Sequence, residues 1–363
     1  MTSRERVLAA IRREFVDRVP LDFSANPATL SRLKRDFGAN CHRDLLALLH
    51  VDIVDLRGVV DPVWCGPMPF ETVTGDGDTI NYWGMQTCVM ETATGPEVCY
   101  SRFPLENATT LAEIEAYPWP DPEWFDFEGF GGRLNEWDGF AVMASGASIF
   151  QHPSFLCGLD NLLVDMIVSP EIAEYLMDRF TDFYCRYFER MFAAVPGKID
   201  ILRVADDIGM QDRPLVSMEL FERYFVPRLK RLINMAHSHG IAVMFHSCGA
   251  VAPFIDRLIE IGVDILDPVQ VRAEGMAPEG LKKRFGDRIC FHGAIDTQYL
   301  LPYGIPDDIR RTVEELIVTL GANGGFIVSP SHVLQTDVPK ANIAALYTAG
   351  YEYGCSQYVR HSG

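Results

Sequence analysis

No apolar run in this chain approaches the roughly 20 residues that a helix needs to cross a bilayer, and residues 2–13 lack a signal-peptide core, so the cytoplasm is the expected location. None of the nine cysteines falls in a CxxC pair, which argues against a disulfide framework and a cysteine-only zinc knuckle. Thiols such as Cys157, Cys185 and Cys290 are then read as small core residues in a reducing compartment. Positive charge is scarce: 32 basic against 50 acidic residues give a net charge of -18, without the cationic footprint that a nucleic acid requires. A glycine-rich dinucleotide fingerprint is missing as well. What is present is an ordinary globular composition, 363 residues at 48% apolar, enough for a substantial core.

Thr2 and Glu5 have capping-box spacing ahead of Val7, Leu8 and Ile11, so an amphipathic helix opens the chain. Eight short extended candidates follow, at residues 19–23, 52–55, 141–145, 199–204, 241–245, 264–267, 289–292 and 326–328. Between them lie helical patterns at 159–191, broken by Ser169-Pro170, and at 220–236, 251–260 and 307–320. Strands separated by helices need crossover connections and hence a mostly parallel sheet. The expected class is α/β, a closed (β/α)8 TIM barrel with an inserted small antiparallel segment and extra helices; an open doubly wound sheet is the alternative. The whole of 1–363 reads as one barrel domain. Within it, 56–140 is an insertion and linker, marked by Gly75-Asp76-Gly77-Asp78, by alternation through Tyr82, Gly84, Gln86 and Cys88, by Gly95-Pro96, and by the loop Pro118 to Pro122. It is a candidate lid for the barrel mouth. Residues from Gly354 onward read as a polar tail.

The chemistry concentrates at His246-Ser247-Cys248-Gly249, directly after the apolar run Ile241 to Phe245. In a parallel barrel the loops after strands converge above the packed interior, and Asp206-Asp207 and Ser331-His332 also follow strand candidates. A thiolate and neutral imidazoles suit zinc, so His246, Cys248 and His332 are the candidate ligands, with Asp207 as a further acidic ligand. Two other readings of the histidine and cysteine stay open: a pocket or capping role without metal, and a Cys/His nucleophilic pair, for which no orienting group or oxyanion hole is evident. Asp207 and His332 are the candidate catalytic groups. Arg203, Asp206, Gln211, Gln270, His292 and Tyr82 are the candidate substrate contacts, through amide hydrogen bonds, carboxylate pairing and apolar cover. Two adjacent acids raise one another's proton affinity unless they diverge, which makes Asp206 the better structural anchor if Asp207 points inward. Trp83 and Phe150 could also cover an apolar substrate or belong to the core. His237 and His239 sit where they would meet terminal helix carbonyls.

The segments Ala205 to Gln211, Phe245 to Gly249, Asp267-Pro268-Val269-Gln270, Gly293 to Thr297, and Gly324-Gly325-Phe326 through Ser331-His332 resemble the uroporphyrinogen decarboxylase superfamily, including its methylcobamide-dependent methyltransferase branch. The decarboxylases proper carry an N-terminal Arg-Gln-Ala-Gly-Arg run for the tetrapyrrole carboxylates. Here that neighbourhood is Asp22-Phe23-Ser24-Ala25-Asn26, which disfavours porphyrin synthesis. The methyltransferase branch implies zinc held by an HxC pair and a later cysteine; His246 and Cys248 match the pair, and His332 stands where the cysteine is expected. The resemblance thus implies a zinc-dependent methyltransferase acting between a methylated corrinoid and a small thiol, pterin or methoxylated compound. The corrinoid would be a co-substrate carried by a separate protein, because no Asp-x-His-x-x-Gly cobalamin signature occurs. The alternatives are a cofactor-independent decarboxylase of a small cyclic acid and a non-catalytic corrinoid-binding or regulatory protein. No nucleic acid or membrane partner is expected, and a homodimer is the candidate assembly.

Overall fold

A computed structural model describes residues 1–92 and 95–359, with 355–359 described through their backbone only. Seven parallel strands form one curled sheet, in the order Ile53–Asp55, Ala141–Ala147, Ile201–Ala205, Ala242–His246, Ile265–Val269, Cys290–Ile295, Phe326–Pro330. The eighth position belongs to residues 19–23. There Leu21 bridges Val328 in parallel, Asp22 N–H donates to the Val328 carbonyl at 2.9 Å, and Asp52 N–H donates to the Leu21 carbonyl at 2.8 Å, which closes the ring onto the first strand. Pro20 offers no N–H, and the Leu21 N–H goes to the Asp52 carboxylate at 2.9 Å, so this stave makes a bridge instead of a continuous ladder.

Side chains alternate between the barrel axis and the surrounding helices. Along the axis, Ile53, Ala141, Met143, Ile201, Met244, Ile265, Cys290 and Ile327 form one buried cluster. The helix Ser3–Ile11 plugs its lower end with Val7, Ala10 and Ile11. This helix starts at the capping box that Thr2 and Glu5 make with each other's backbone. A buried ionic cluster ties it down: Arg6 and Arg18 both reach the fully buried Asp52 at 2.7 Å. The second, larger core lies between the strands and the outer helices.

Helices Leu159–Val168 and Pro170–Ala194 are separated at Ser169, with Pro170 opening the second. The segment read as one helix from 220 contains a π turn, Phe221–Phe225, just before Pro227, whose missing N–H interrupts the regular ladder. The insertion holds an antiparallel meander, Glu71–Val73, Thr79–Asn81, Gln86–Thr92 and Gly95–Arg102, and a two-stranded pair of Val63–Trp64 with Phe125–Asp126. At the other end of the chain, the expected polar tail is helical through Val359. Gly354 is a close-packing glycine, since a Cβ there would lie 3.0 Å from Val19 Cγ1; residues 360–363 lie outside the described residues. Among the described residues no helix is long and apolar enough to cross a membrane.

Candidate metal centre at the barrel mouth

Two residues above the axial apolar floor, the same strands turn polar. Asp55, Arg203, His246, Asp267, His292 and Ser329 all line one cavity of about 220 Å³ at the carboxyl ends of the strands. A period-two step from Ile53, Ile201, Met244, Ile265, Cys290 and Ile327 leads to each of them. Asp267 is the hub. It is buried, and its carboxylate accepts from Arg203 Nε at 2.8 Å and faces His246 Nδ1 at 2.8 Å and His292 Nδ1 at 2.7 Å. Burial opposes its ionisation, but the Arg203 charge, with the His246 and His292 rings beside it, holds it well below the usual carboxylate range. His292 continues the chain to Asp22 at 2.9 Å. Burial works against the His292 cation as well, yet Asp267 and Asp22 raise it to about 9.

His246 is therefore oriented from behind. Its Nδ1 lies between Asp267 and an Arg203 nitrogen, which stands at 2.6 Å. With the proton on Nδ1 donated to Asp267, Nε2 is bare and faces Cys248 Sγ at 3.7 Å and Asp207 Oδ1 at 3.7 Å. The ligand atoms of Asp207, His246 and Cys248 all lie within 4.8 Å of one another. Zinc at about 2.0 Å from nitrogen or oxygen and about 2.3 Å from sulfur spaces a tetrahedral nitrogen and oxygen about 3.3 Å apart and a nitrogen and sulfur about 3.5 Å apart, so the two edges at His246 need to contract by only a few tenths of an ångström. Burial, then the charges of Asp207 and Asp267, push the Cys248 thiol up to about 12. A nucleophilic cysteine needs the opposite shift, and a thiol in this setting ionises against a cation.

Asp207 and Cys248 meet because two loops interlock. Asp206 N–H donates to the His246 carbonyl at 2.9 Å, Ile208 N–H to Ser247 Oγ at 2.9 Å, and Ala250 N–H to the Met210 carbonyl at 2.7 Å. A Cβ on Gly249, whose φ is +90°, would sit 2.5 Å from the Gly209 carbonyl carbon, and one on Gly209 would sit 2.6 Å from the Cys248 oxygen. Only glycine at both positions permits this approach. The result is the Cys248 N–H donating to Asp207 Oδ1 at 2.8 Å while Gln151 Nε2 donates to Oδ2 at 2.8 Å.

The adjacent acids do diverge. Asp206 is fully buried on the far side, where it accepts from Ser148 Oγ at 2.7 Å and from the N–H groups of Ile149, Phe150 and Gln151 at 2.8–3.0 Å, capping the helix Gln151–Cys157 from a distance. Gln270 Oε1 accepts from Gly249 N–H at 2.7 Å, and Gln211 Nε2 donates to the Arg272 carbonyl at 2.6 Å, so these amides brace the rim loops. His332 is an exposed residue lining the same mouth cavity as His246, and it stands outside the group formed by Asp207, His246 and Cys248. Tyr82 lines a different cavity, together with Trp83, while Phe150 is core. His237 reaches the Asp264 carboxylate at 2.8 Å, not the helix carbonyls; the acid just ahead of the strand Ile265–Val269 competes better for a ring N–H. Sequence reading passed over Asp22, Asp55 and the hub role of Asp267. The signal available for Asp55 and Asp267 was a polar residue two places after an inward apolar one.

The model of the uroporphyrinogen decarboxylase (URO-D) family matches residues 135–353, more than half of the chain. No curated protein matches the sequence significantly. Among solved structures, a methyltransferase from Methanosarcina mazei is similar over 97% of this chain and 99% of its own, with a TM-score of 0.68 at 19% identity, which shows likeness of fold. A D-psicose 3-epimerase in the presence of D-fructose aligns with 63% of this chain and 83% of its own at 11% identity and a TM-score of 0.35. An IolI protein with a bound zinc atom aligns with 63% of this chain and 92% of its own at 13% identity and a TM-score of 0.35. The last two are too distant to bear on the argument.

Proposed function

Because the chain belongs to the uroporphyrinogen decarboxylase family, we propose that it is a methyltransferase-type member whose barrel mouth holds zinc through His246, Cys248 and Asp207, with His332 at the edge of the same cavity. The observation that supports this most is the convergence of one imidazole, one thiol and one carboxylate within 4.8 Å of one another, backed by the Asp267 contact that fixes the imidazole. Bound there, zinc would supply Lewis acidity, lowering the pKa of a thiol or polarising an oxygen of the small substrate. The chain's own residues do the rest. Asp267 accepts a hydrogen bond from His246 Nδ1 and keeps Nε2 directed at the centre, and Gln151 keeps the Asp207 carboxylate turned toward Cys248. Arg203 balances the charge of Asp267 beneath the site.

In this reading the methyl group passes between a methylated corrinoid, carried by a separate protein, and a small thiol, pterin or methoxylated compound. The reading is tested by metal content together with methylcobalamin consumption. Stoichiometric zinc that is lost in His246→Ala and Cys248→Ala, with consumption lost in parallel, is the expected result. Tight zinc retained in both variants would overturn the ligand assignment. Family membership also favours a second reading, metal-free decarboxylation of a small cyclic acid, which predicts carbon dioxide release that a chelator leaves untouched.

A further inference from the structure

Beside the mouth lies a larger cavity, about 680 Å³, walled by rings from the insertion and from the helix Pro170–Ala194: Trp64, Tyr82, Trp83, Tyr184, Tyr187 and Phe188. That volume is in the range of built small-molecule sites, which are mostly apolar with a few placed polar groups. Among the described residues Arg57 is the only cation lining it, and it also lines the mouth cavity, so it stands where the two spaces meet. Among the described residues the Arg57 guanidinium makes no hydrogen bond or ion pair; only its backbone N–H is engaged, with Asp55. Asp55 feels the Arg57 charge, but its carboxylate takes its side-chain hydrogen bond from Ser145 Oγ, at 2.7 and 2.8 Å. His152, the other nitrogen base in the wall, is held neutral: burial, then the Arg57 charge, lower it to about 4. The two acids of the lining, Asp61 and Glu71, are exposed residues.

We propose that this cavity binds a planar aromatic carboxylate of one or two rings, its ring among these aromatic side chains and its carboxylate paired with Arg57. Flat rings gain offset and edge-on contacts from such walls beyond the burial of their area, and a guanidinium receives a carboxylate through two parallel hydrogen bonds. The acids on the outer lining oppose the reversed orientation. The site goes beyond the methyl-transfer reading, because neither the rings nor Arg57 belongs to the metal group.

The test is titration of 2-naphthoate, neutral 2-naphthamide and cyclohexanecarboxylate into the purified protein, by calorimetry and by tryptophan fluorescence, for which Trp64 and Trp83 are reporters within the wall. The expected order is naphthoate well above both others. Arg57→Gln should weaken naphthoate by about tenfold or more and leave naphthamide unchanged, since one charge-assisted contact is lost. Tyr187→Ala should weaken both aromatic probes, and Cys248→Ala neither. Equal binding of naphthoate and naphthamide, equal binding of the saturated acid, an Arg57→Gln protein that binds naphthoate as wild type does, or no binding at millimolar ligand would each overturn the proposal. Loss of zinc in Cys248→Ala with naphthoate affinity intact separates this site from the metal centre.

Discussion

The buried line Asp22–His292–Asp267 makes stability depend on pH in a window where few other groups titrate. His292 is 5% exposed, and its two carboxylate neighbours raise it from the ordinary 6.5 to about 9. A histidine whose folded pKa lies above its unfolded value stabilises the fold fully below the unfolded pKa, and that contribution is lost as pH rises through the folded one. At about 1.4 kcal/mol for each pH unit, the interval corresponds to about 3 kcal/mol lost between about pH 6.5 and pH 9. His292→Gln keeps a hydrogen-bonding side chain and removes the proton equilibrium. Urea unfolding followed by circular dichroism, at steps from pH 6 to 9.5, should show wild-type stability declining across the window. The variant should be less stable at the acid end, with a much flatter profile. Equal slopes in the two proteins would refute the assignment of a buried histidinium.

Three further outcomes follow from the same geometry. Asp206→Ala strands the buried N–H groups of Ile149 and Phe150, the half-buried N–H of Gln151 and the Ser148 hydroxyl, so a loss of about 3 kcal/mol or more is expected, with faster hydrogen exchange confined at first to residues 149–157; wild-type exchange there would contradict the capping role. Gly249→Ala forces a methyl group to within 2.5 Å of the Gly209 backbone, which should destabilise by about 1–3 kcal/mol and lower bound zinc by separating Asp207 from Cys248, read by elemental analysis alongside thermal unfolding. Asp267→Ala should weaken zinc binding about 10- to 100-fold, because His246 loses the acceptor that fixes its tautomer, and a competition titration with a chromophoric chelator would show unchanged affinity if that orientation is unimportant.

Much of the barrel could be read from the chain. All eight stave positions fall where short β-branched or apolar runs alternate with helical periodicity, and the Ser169-Pro170 break falls where the proline places it. Residues 19–23 come out as a bridged segment because Pro20 and the Asp52 side chain remove two of its ladder donors, an effect that involves a residue thirty places on. Local pattern also brought out His246, Cys248 and Asp207, grouped with His332 as one ligand set on the rule that the loops after barrel strands converge. What it could not supply was the contact that locks the two loops together, Gly209 and Gly249 passing backbone to backbone. The hub role of Asp267 was hidden for a similar reason: three strands must curl into one ring before Arg203, His246 and His292 can share its carboxylate. Arg57 carries no local signature at all, since its importance lies in what it leaves unpaired.

The stacking of a polar ring on an apolar floor has a consequence for how such a molecule changes over time. Each upper residue rests on its own lower neighbour two places back in the same strand, so replacing Asp55 or Ser329 alters what the opening can recognise while Ile53 and Ile327 go on filling the axis beneath. Chemistry can be exchanged one stave at a time, much as a lock is re-pinned without recutting its case.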